Sequence, residues 1–405
     1  MKNKNALGFG EFVALMAMMM ALAALSTDVM LPALSEIGNA LAVQGENTTQ
    51  LIVSFLFLGL AAGQIVYGPL SDSIGRKKSI YLGYLVFILG SLLSMIASSF
   101  SMMLAGRLLQ GIGIAGPRSV TMALIRDQYE GRQMARVMSF VMMVFILVPI
   151  IAPSFGQAIL IFASWQAIFG TLFTLALITM IWFAIRQPET LPVDRRIPFS
   201  LNRIWMGVRE VFADRIALGY TIAAGLVFGA FMGYLNSAQQ IFQGQYGLGT
   251  DFPLYFAIIA LSIGSASFLN GRLVMRYGMR YLSNWAVQIL VLLSISFALL
   301  GFFHAGNPSL LVLMIYLMAS FFCVGILFGN MNSLAMEPLG HIAGIGAAVV
   351  GSLSTFISVP LGIYIGQRYN NTILPLVIGF AILSTLSMLV MRWAQAESQE
   401  EVVVS

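Results

Sequence analysis

The chain has 405 residues, of which 59% are hydrophobic and only 9% are Asp, Glu, Lys or Arg. A water-soluble domain carries about a quarter of its residues as charged groups, so a soluble enzyme and a disordered segment are both excluded. One cysteine, Cys323, and two distant histidines, His304 and His341, leave no disulfide framework and no cysteine- or histidine-rich metal centre.

A bilayer core takes about 20 apolar residues per helix. In chain order the apolar runs predict twelve spans, near 12–34, 50–70, 79–98, 102–124, 137–161, 165–185, 216–240, 253–271, 281–302, 308–332, 343–366 and 373–393. The runs are continuous rather than alternating, which predicts helices and not barrel strands. Lys2 and Lys4 precede the first run, and Ala21-Leu22-Ala23 imitates a signal-peptide cleavage site. The run resumes through Val29-Met30-Leu31, so an uncleaved first helix is expected. Pro149, Pro153 and Gly156 fall in the fifth span, where proline removes a backbone hydrogen bond and interrupts a helix. The interruption is either a kink that seals or hinges a cavity or a tolerated feature of membrane packing.

The longest polar stretch, Arg186 to Arg215, divides six spans from six. It starts irregularly at Pro188, Pro192 and Pro198. Leu201, Ile204, Trp205, Val208, Val211 and Phe212 then recur at helical spacing, with Arg203, Arg209 and Glu210 between them. That pattern predicts an amphipathic helix, either lying on the inner membrane surface or forming an ordinary solvated linker. The expected organisation is a six-helix bundle over 1–185, a cytoplasmic linker over 186–215, and a second bundle with a short tail over 216–405. A weak repeat supports it: shifting Gly68-Pro69-Leu70-Ser71-Asp72-Ser73-Ile74-Gly75-Arg76-Lys77 by 203 residues aligns Gly68 with Gly271, Leu70 with Leu273, Gly75 with Gly278 and Lys77 with Arg280. Parallel six-helix repeats with a midplane site between them are a plan of secondary transporters.

Of the 21 Lys and Arg, 18 fall on one set of alternating connections and tails, Arg368 alone falls on the other, and Arg107 and Arg118 lie within a span. The positive-inside rule then predicts that both termini face the cytoplasm. The same distribution accounts for the net charge of +5 without a nucleic-acid partner.

Charged groups inside a membrane are costly and face a cavity or a partner. Asp28 is the one acid well within a span, and Arg107 falls at a similar depth, so the two are expected to meet. Burial favours the neutral form of a carboxyl and a nearby guanidinium favours its charged form, so separating such a pair would bind or release a proton. Asp28 is therefore the candidate proton carrier; the alternative is a residue that ends the first helix ahead of Pro32. Arg107 either ion-pairs at Asp28, bridges carbonyls and water in a cavity, or is structural. Arg118 lies eleven residues on, almost on the same face and about 16 Å along the helix; it contacts anions in a cavity or snorkels inward. Asp72, Arg76 and Asp127 are placed to form a charge network, with Gly68 allowing close helix approach. Candidate cavity residues are Gln110, Tyr234, Asn236, Gln239, Asn330 and Phe356. The 25 methionines suit a pocket that repacks around different shapes.

The stretch Gly68 to Lys78 resembles the loop signature of the major facilitator superfamily. Leu104-Ala105-Gly106-Arg107-Leu108-Leu109-Gln110-Gly111 is similar to its fourth-helix motif, and Ala152-Pro153-Ser154-Phe155-Gly156 to its fifth-helix antiporter motif. Thr27-Asp28-Val29-Met30-Leu31-Pro32-Ala33-Leu34 resembles the first helix of twelve-span drug/proton antiporters of the bicyclomycin/chloramphenicol-resistance type. The resemblance implies an all-α membrane protein with twelve transmembrane helices in two pseudo-symmetric six-helix bundles. It places Arg107 in the proton-coupling region, makes Gly68, Asp72, Gly75, Arg76 and Asp127 an inner-side latch between the halves, and makes Pro149, Pro153 and Gly156 a functional kink. The expected activity is efflux of small amphipathic drugs across the bacterial inner membrane. Protons and membrane lipids are the expected partners, the proton gradient replaces any cofactor, and the expected state is a monomer. A proton-coupled transporter of a sugar or amino acid is the first rival. A membrane-embedded enzyme lacks the paired carboxylates or histidine cluster it would need.

Overall fold

The computed structural model describes residues 7–45 and 47–404. Lys2 and Lys4, on which the predicted orientation partly rests, lie outside them. Among the described residues the chain is all-helical. The helices are α1 (Phe9–Asp28), α2 (Leu34–Ala40), α3 (Leu51–Ile74), α4 (Arg76–Met95), α5 (Phe100–Gln128), α6 (Gly131–Phe162), α7 (Gln166–Arg186), α8 (Leu201–Ala213), α9 (Arg215–Leu235), α10 (Phe252–Tyr277), α11 (Met279–Phe303), α12 (Leu310–Met336), α13 (Ala343–Gln367) and α14 (Leu374–Val404). Short polar caps set several boundaries. Ser99 Oγ accepts from Met102 N at 3.3 Å to open α5, and Asp214 Oδ1 accepts from Ala217 N at 2.7 Å to open α9.

Eleven helical stretches among the described residues are long and apolar enough to cross a membrane. One of them, Leu310–Gln367, has 58 residues, which at 1.5 Å each is far more than a single crossing needs. Its helical dihedrals lapse at Leu339 (φ −97°, ψ 17°), which separates α12 from α13 and yields the twelve spans that the sequence predicts.

The chain divides into two compact units, one ending at Ile204 and one beginning at Trp205. In the first, α5 packs between α3 and α4, α1 lies against α6, and α7 against α4. Glycines make the α5 contacts close: a Cβ on Gly111 would stand 2.0 Å from Leu56 O, and one on Gly113 2.2 Å from Phe87 N. Side chains would hold these backbones apart, so the packing is carried by small residues. In the second unit α9 packs against α13, α14 and α12, α10 against α12, and α11 against α12 and α14. The polar stretch after α7 belongs mostly to the first unit. Ile197 N donates to Asp72 O at 3.0 Å and Phe199 N to Ser73 Oγ at 3.1 Å.

The signature stretch is not a loop. Helix runs to Ile74 and restarts at Arg76, and the whole break is Gly75 with φ +100°. That left-handed conformation is cheap only for glycine, so one residue turns the chain. Gly278 makes the matching break between α10 and α11 with φ +81°. The 203-residue repeat is thus a repeat of backbone geometry.

Candidate functional site

The site in the first unit is built around the end of α1. Asp28 is the last residue of α1, and a turn and a 3₁₀ segment over Leu31–Ala33 follow before α2. A helix end leaves its last carbonyls without intrahelical donors. Two of the carbonyls at this end are met by other elements. Ser26 O accepts from Arg107 Nη2 at 2.9 Å. Val29 O faces the backbone of Gly156 in α6, where a Cβ would stand only 1.8 Å away.

Arg107 is fully buried, at 0% exposure. Its Nε donates to Ile52 O at 3.1 Å and its Nη1 to Gln110 Oε1 at 2.7 Å, and its guanidinium lies 5.8 Å from the Phe169 ring. Gln110 in turn donates to Ser91 Oγ at 2.8 Å. One guanidinium on α5 therefore ties together α1, the start of α3, α4 and α7. The carbonyl at the end of α1 supplies the partial negative charge that a buried cation needs.

The expected Asp28–Arg107 ion pair does not form: the guanidinium is spent on carbonyls and an amide. Asp28 is 6% exposed, and its carboxylate has no hydrogen-bond or ion-pair partner among the described residues. Arg107 fixes the backbone two residues before Asp28 and leaves the acid itself unengaged.

α6 runs as one helix through both Pro149 and Pro153. A missing donor is tolerated where the neighbouring helical bonds persist. The residue of that motif that acts on the site is Gly156, through close approach. Gly156→Ala is expected to force α6 and the end of α1 apart by roughly 1 Å or more, because no rotamer relieves a Cβ–backbone clash. A thermal-unfolding midpoint close to that of the wild type would contradict it.

The Asp72–Arg76–Asp127 network forms. Arg76 Nε donates to Asp127 Oδ2 at 3.0 Å, and its Nη1 pairs with Asp72 and donates to Ser71 Oγ at 2.8 Å. The network also extends into the stretch after α7, which no spacing in the chain announces. Glu189 accepts from Arg76 N at 3.0 Å and Lys77 N at 3.1 Å, placing a carboxylate on the N-terminus of α4, and Thr190 Oγ1 donates to Asp127 at 2.7 Å. Gly75 sits against this carboxylate: a Cβ there would meet Glu189 Oε2 at 2.5 Å. Gly68 is half-buried and accepts from Ser71 Oγ at 2.8 Å.

The proposed cavity residues separate into buried and exposed groups. Gln110 belongs to the Arg107 cluster, not to an open wall. In the second unit Tyr234 is buried among rings, 4.7 Å from Phe321 and 5.9 Å from Phe256 between centroids. Asn330 is buried and exchanges two amide hydrogen bonds with Asn270, at 2.8 and 3.0 Å. Asn236 is buried, and Gln239 donates to Gln243 at 2.8 Å. A buried polar group needs a partner, and for Asn330 and Gln239 that partner is another amide of the same unit. Phe356 stays exposed. Arg118 is half-buried beside the Phe145 ring at 5.8 Å. Ser91, Glu189 and Asn270 escape sequence reasoning because their roles depend on which helix faces which.

The Major Facilitator Superfamily model matches residues 7–358. The chain is 30% identical over 356 residues to the uncharacterized MFS-type transporter YdgK of Bacillus subtilis, covering 87% of this chain and 86% of that one. It is 28% identical over 395 residues to a bicyclomycin resistance protein homolog of Haemophilus influenzae, covering 93% and 94%. Its fold is similar to that of the xylose transporter XylE from E. coli in a partially occluded inward-open conformation, with a TM-score of 0.73, 13% identity, and 95% and 97% coverage. Relatives and neighbours alike are transporters rather than enzymes. With a family match over most of its length and a multi-pass helical fold, the chain belongs to the Major Facilitator Superfamily, as a membrane-embedded transporter of small molecules.

Proposed function

We propose that the protein exports small amphipathic drugs across the bacterial inner membrane in exchange for protons, with both termini in the cytoplasm. The observation that carries this reading is Asp28, a buried carboxylate with no partner of its own among the described residues, beside backbone anchored by Arg107. An acid placed so is free to exchange its proton against a bound compound. The resistance-protein name of a relative supports a drug as the cargo. The proton gradient drives the cycle and no cofactor takes part. The test is a drug-susceptibility panel in a host stripped of its main pumps. Expression should raise tolerance to several amphipathic compounds, and the Asp28→Asn form should not. A panel with no protection, alongside uptake of a sugar or amino acid, favours the metabolite reading.

In this reading the Arg76 network is a latch that holds one state of the cycle. Asp72→Ala is then expected to lower the transport rate about tenfold while leaving drug affinity within about twofold, since one member of a charge pair beside a half-exposed surface is lost. Equal losses in rate and affinity would remove the latch role.

A further inference from the structure

Helix α8 carries a face that the fold leaves bare. Ile204, Gly207 and Val211 are buried; a Cβ on Gly207 would meet Ile345 Cγ2 at 2.3 Å, which seats that face against α13. About 60° or more further round the helix lie Leu201, Trp205, Val208 and Phe212, at i, i+4, i+7 and i+11. Leu201 is 72% exposed, Trp205 66% and Phe212 53%. Arg209 borders this stripe and Arg203 lies on the polar side, both exposed and without an ion pair among the described residues. The acid of the same helix, Glu210, is already engaged with His341.

The level of α8 is fixed by its neighbours. It ends at Ala213 and the α9 span begins at Arg215, with Asp214 alone between them. Arg215 donates to Trp393 O at 2.6 Å and lies 4.8 Å from the Trp393 ring, at the end of the apolar part of α14. A tryptophan stacked with an arginine at a span end is the signature of the membrane–water boundary. A bare apolar stripe, joined to a span by one residue at that boundary and bordered by the unengaged Arg209, has the form of an interfacial helix.

We propose that the Leu201–Trp205–Phe212 face of α8 docks on the anionic phospholipid surface of the leaflet at which α9 begins. The apolar side chains enter the acyl boundary and Arg209, at the edge of the stripe, holds an acidic headgroup. The inference rests on membrane insertion alone and not on drug/proton exchange.

The experiment places the full chain in nanodiscs of phosphatidylcholine doped with chain-brominated phosphatidylglycerol or brominated phosphatidylcholine. The Trp205 emission is taken as the difference between wild type and Trp205→Phe. That emission is expected to be quenched by brominated lipid, more strongly by the phosphatidylglycerol form. Arg209→Gln is expected to lower the preference about fivefold, and Arg203→Gln, on the far side of the helix, to leave it within about twofold. Circular dichroism checks that the variants keep their helix content. Equal quenching by both lipids overturns the anionic claim. A Trp205 signal untouched by bromine and quenched by aqueous iodide, or masked by self-association of the protein, overturns the docking altogether.

Discussion

Asp28→Asn is expected to abolish proton release on drug addition while leaving the protein folded. The substitution is nearly isosteric and removes no hydrogen bond, because the carboxylate has no partner to lose among the described residues. Its effect on stability should stay within about 1 kcal/mol. Its effect on coupling should be complete, since an amide does not ionise in the accessible range. The energies suit such a coupling, for one pKa unit is about 1.4 kcal/mol, and 100 mV across the membrane supplies about 2.3 kcal/mol per charge. Purified protein in weak buffer with a pH indicator gives the readout directly. Proton release unchanged in Asp28→Asn would end the proton-carrier assignment.

Arg107→Ala carries the second large effect, on stability. It orphans Ser26 O, Ile52 O and Gln110 Oε1 in a region with no exposure. Each unsatisfied buried acceptor costs about 1–3 kcal/mol, so the three together cost roughly 3–9 kcal/mol. The melting midpoint in detergent should fall by roughly 10 °C. Arg107→Lys should fall between the two, because one ammonium cannot reach three acceptors in a fixed fork. A midpoint within about 2 °C of wild type for Arg107→Ala would mean that Arg107 does not join these helices.

The spans are legible in the sequence because hydropathy is a property of single segments. Asp28 and Arg107 are legible for a related reason: charge in an apolar run is conspicuous. Their relationship is not. The sequence shows two opposite charges at one depth, and pairing is the natural expectation. It does not show that α1 ends at Asp28, nor that the carbonyls released there outcompete the acid for the guanidinium. The motif around Gly156 singles that residue out, yet its action is steric contact with Val29 O, which no pattern encodes. The amides at Asn330 and Gln110 are ambiguous in the sequence because polar groups in spans serve equally to bind ligands and to join helices. Only the partner, Asn270 or Arg107, distinguishes the two.

The paired glycine breaks have one more consequence. Duplication preserved the corner at Gly75 and Gly278 but not its chemistry: Met275 and Met279 occupy the places of Asp72 and Arg76. The nearest substitute in the second unit is an exposed contact between Arg280 and Glu337 at 3.1 Å. Ionic strength should therefore distinguish the twins. Concentrated salt would soften the solvent-facing contact in the later copy first, while the earlier copy, with its guanidinium shielded, keeps its stiffness.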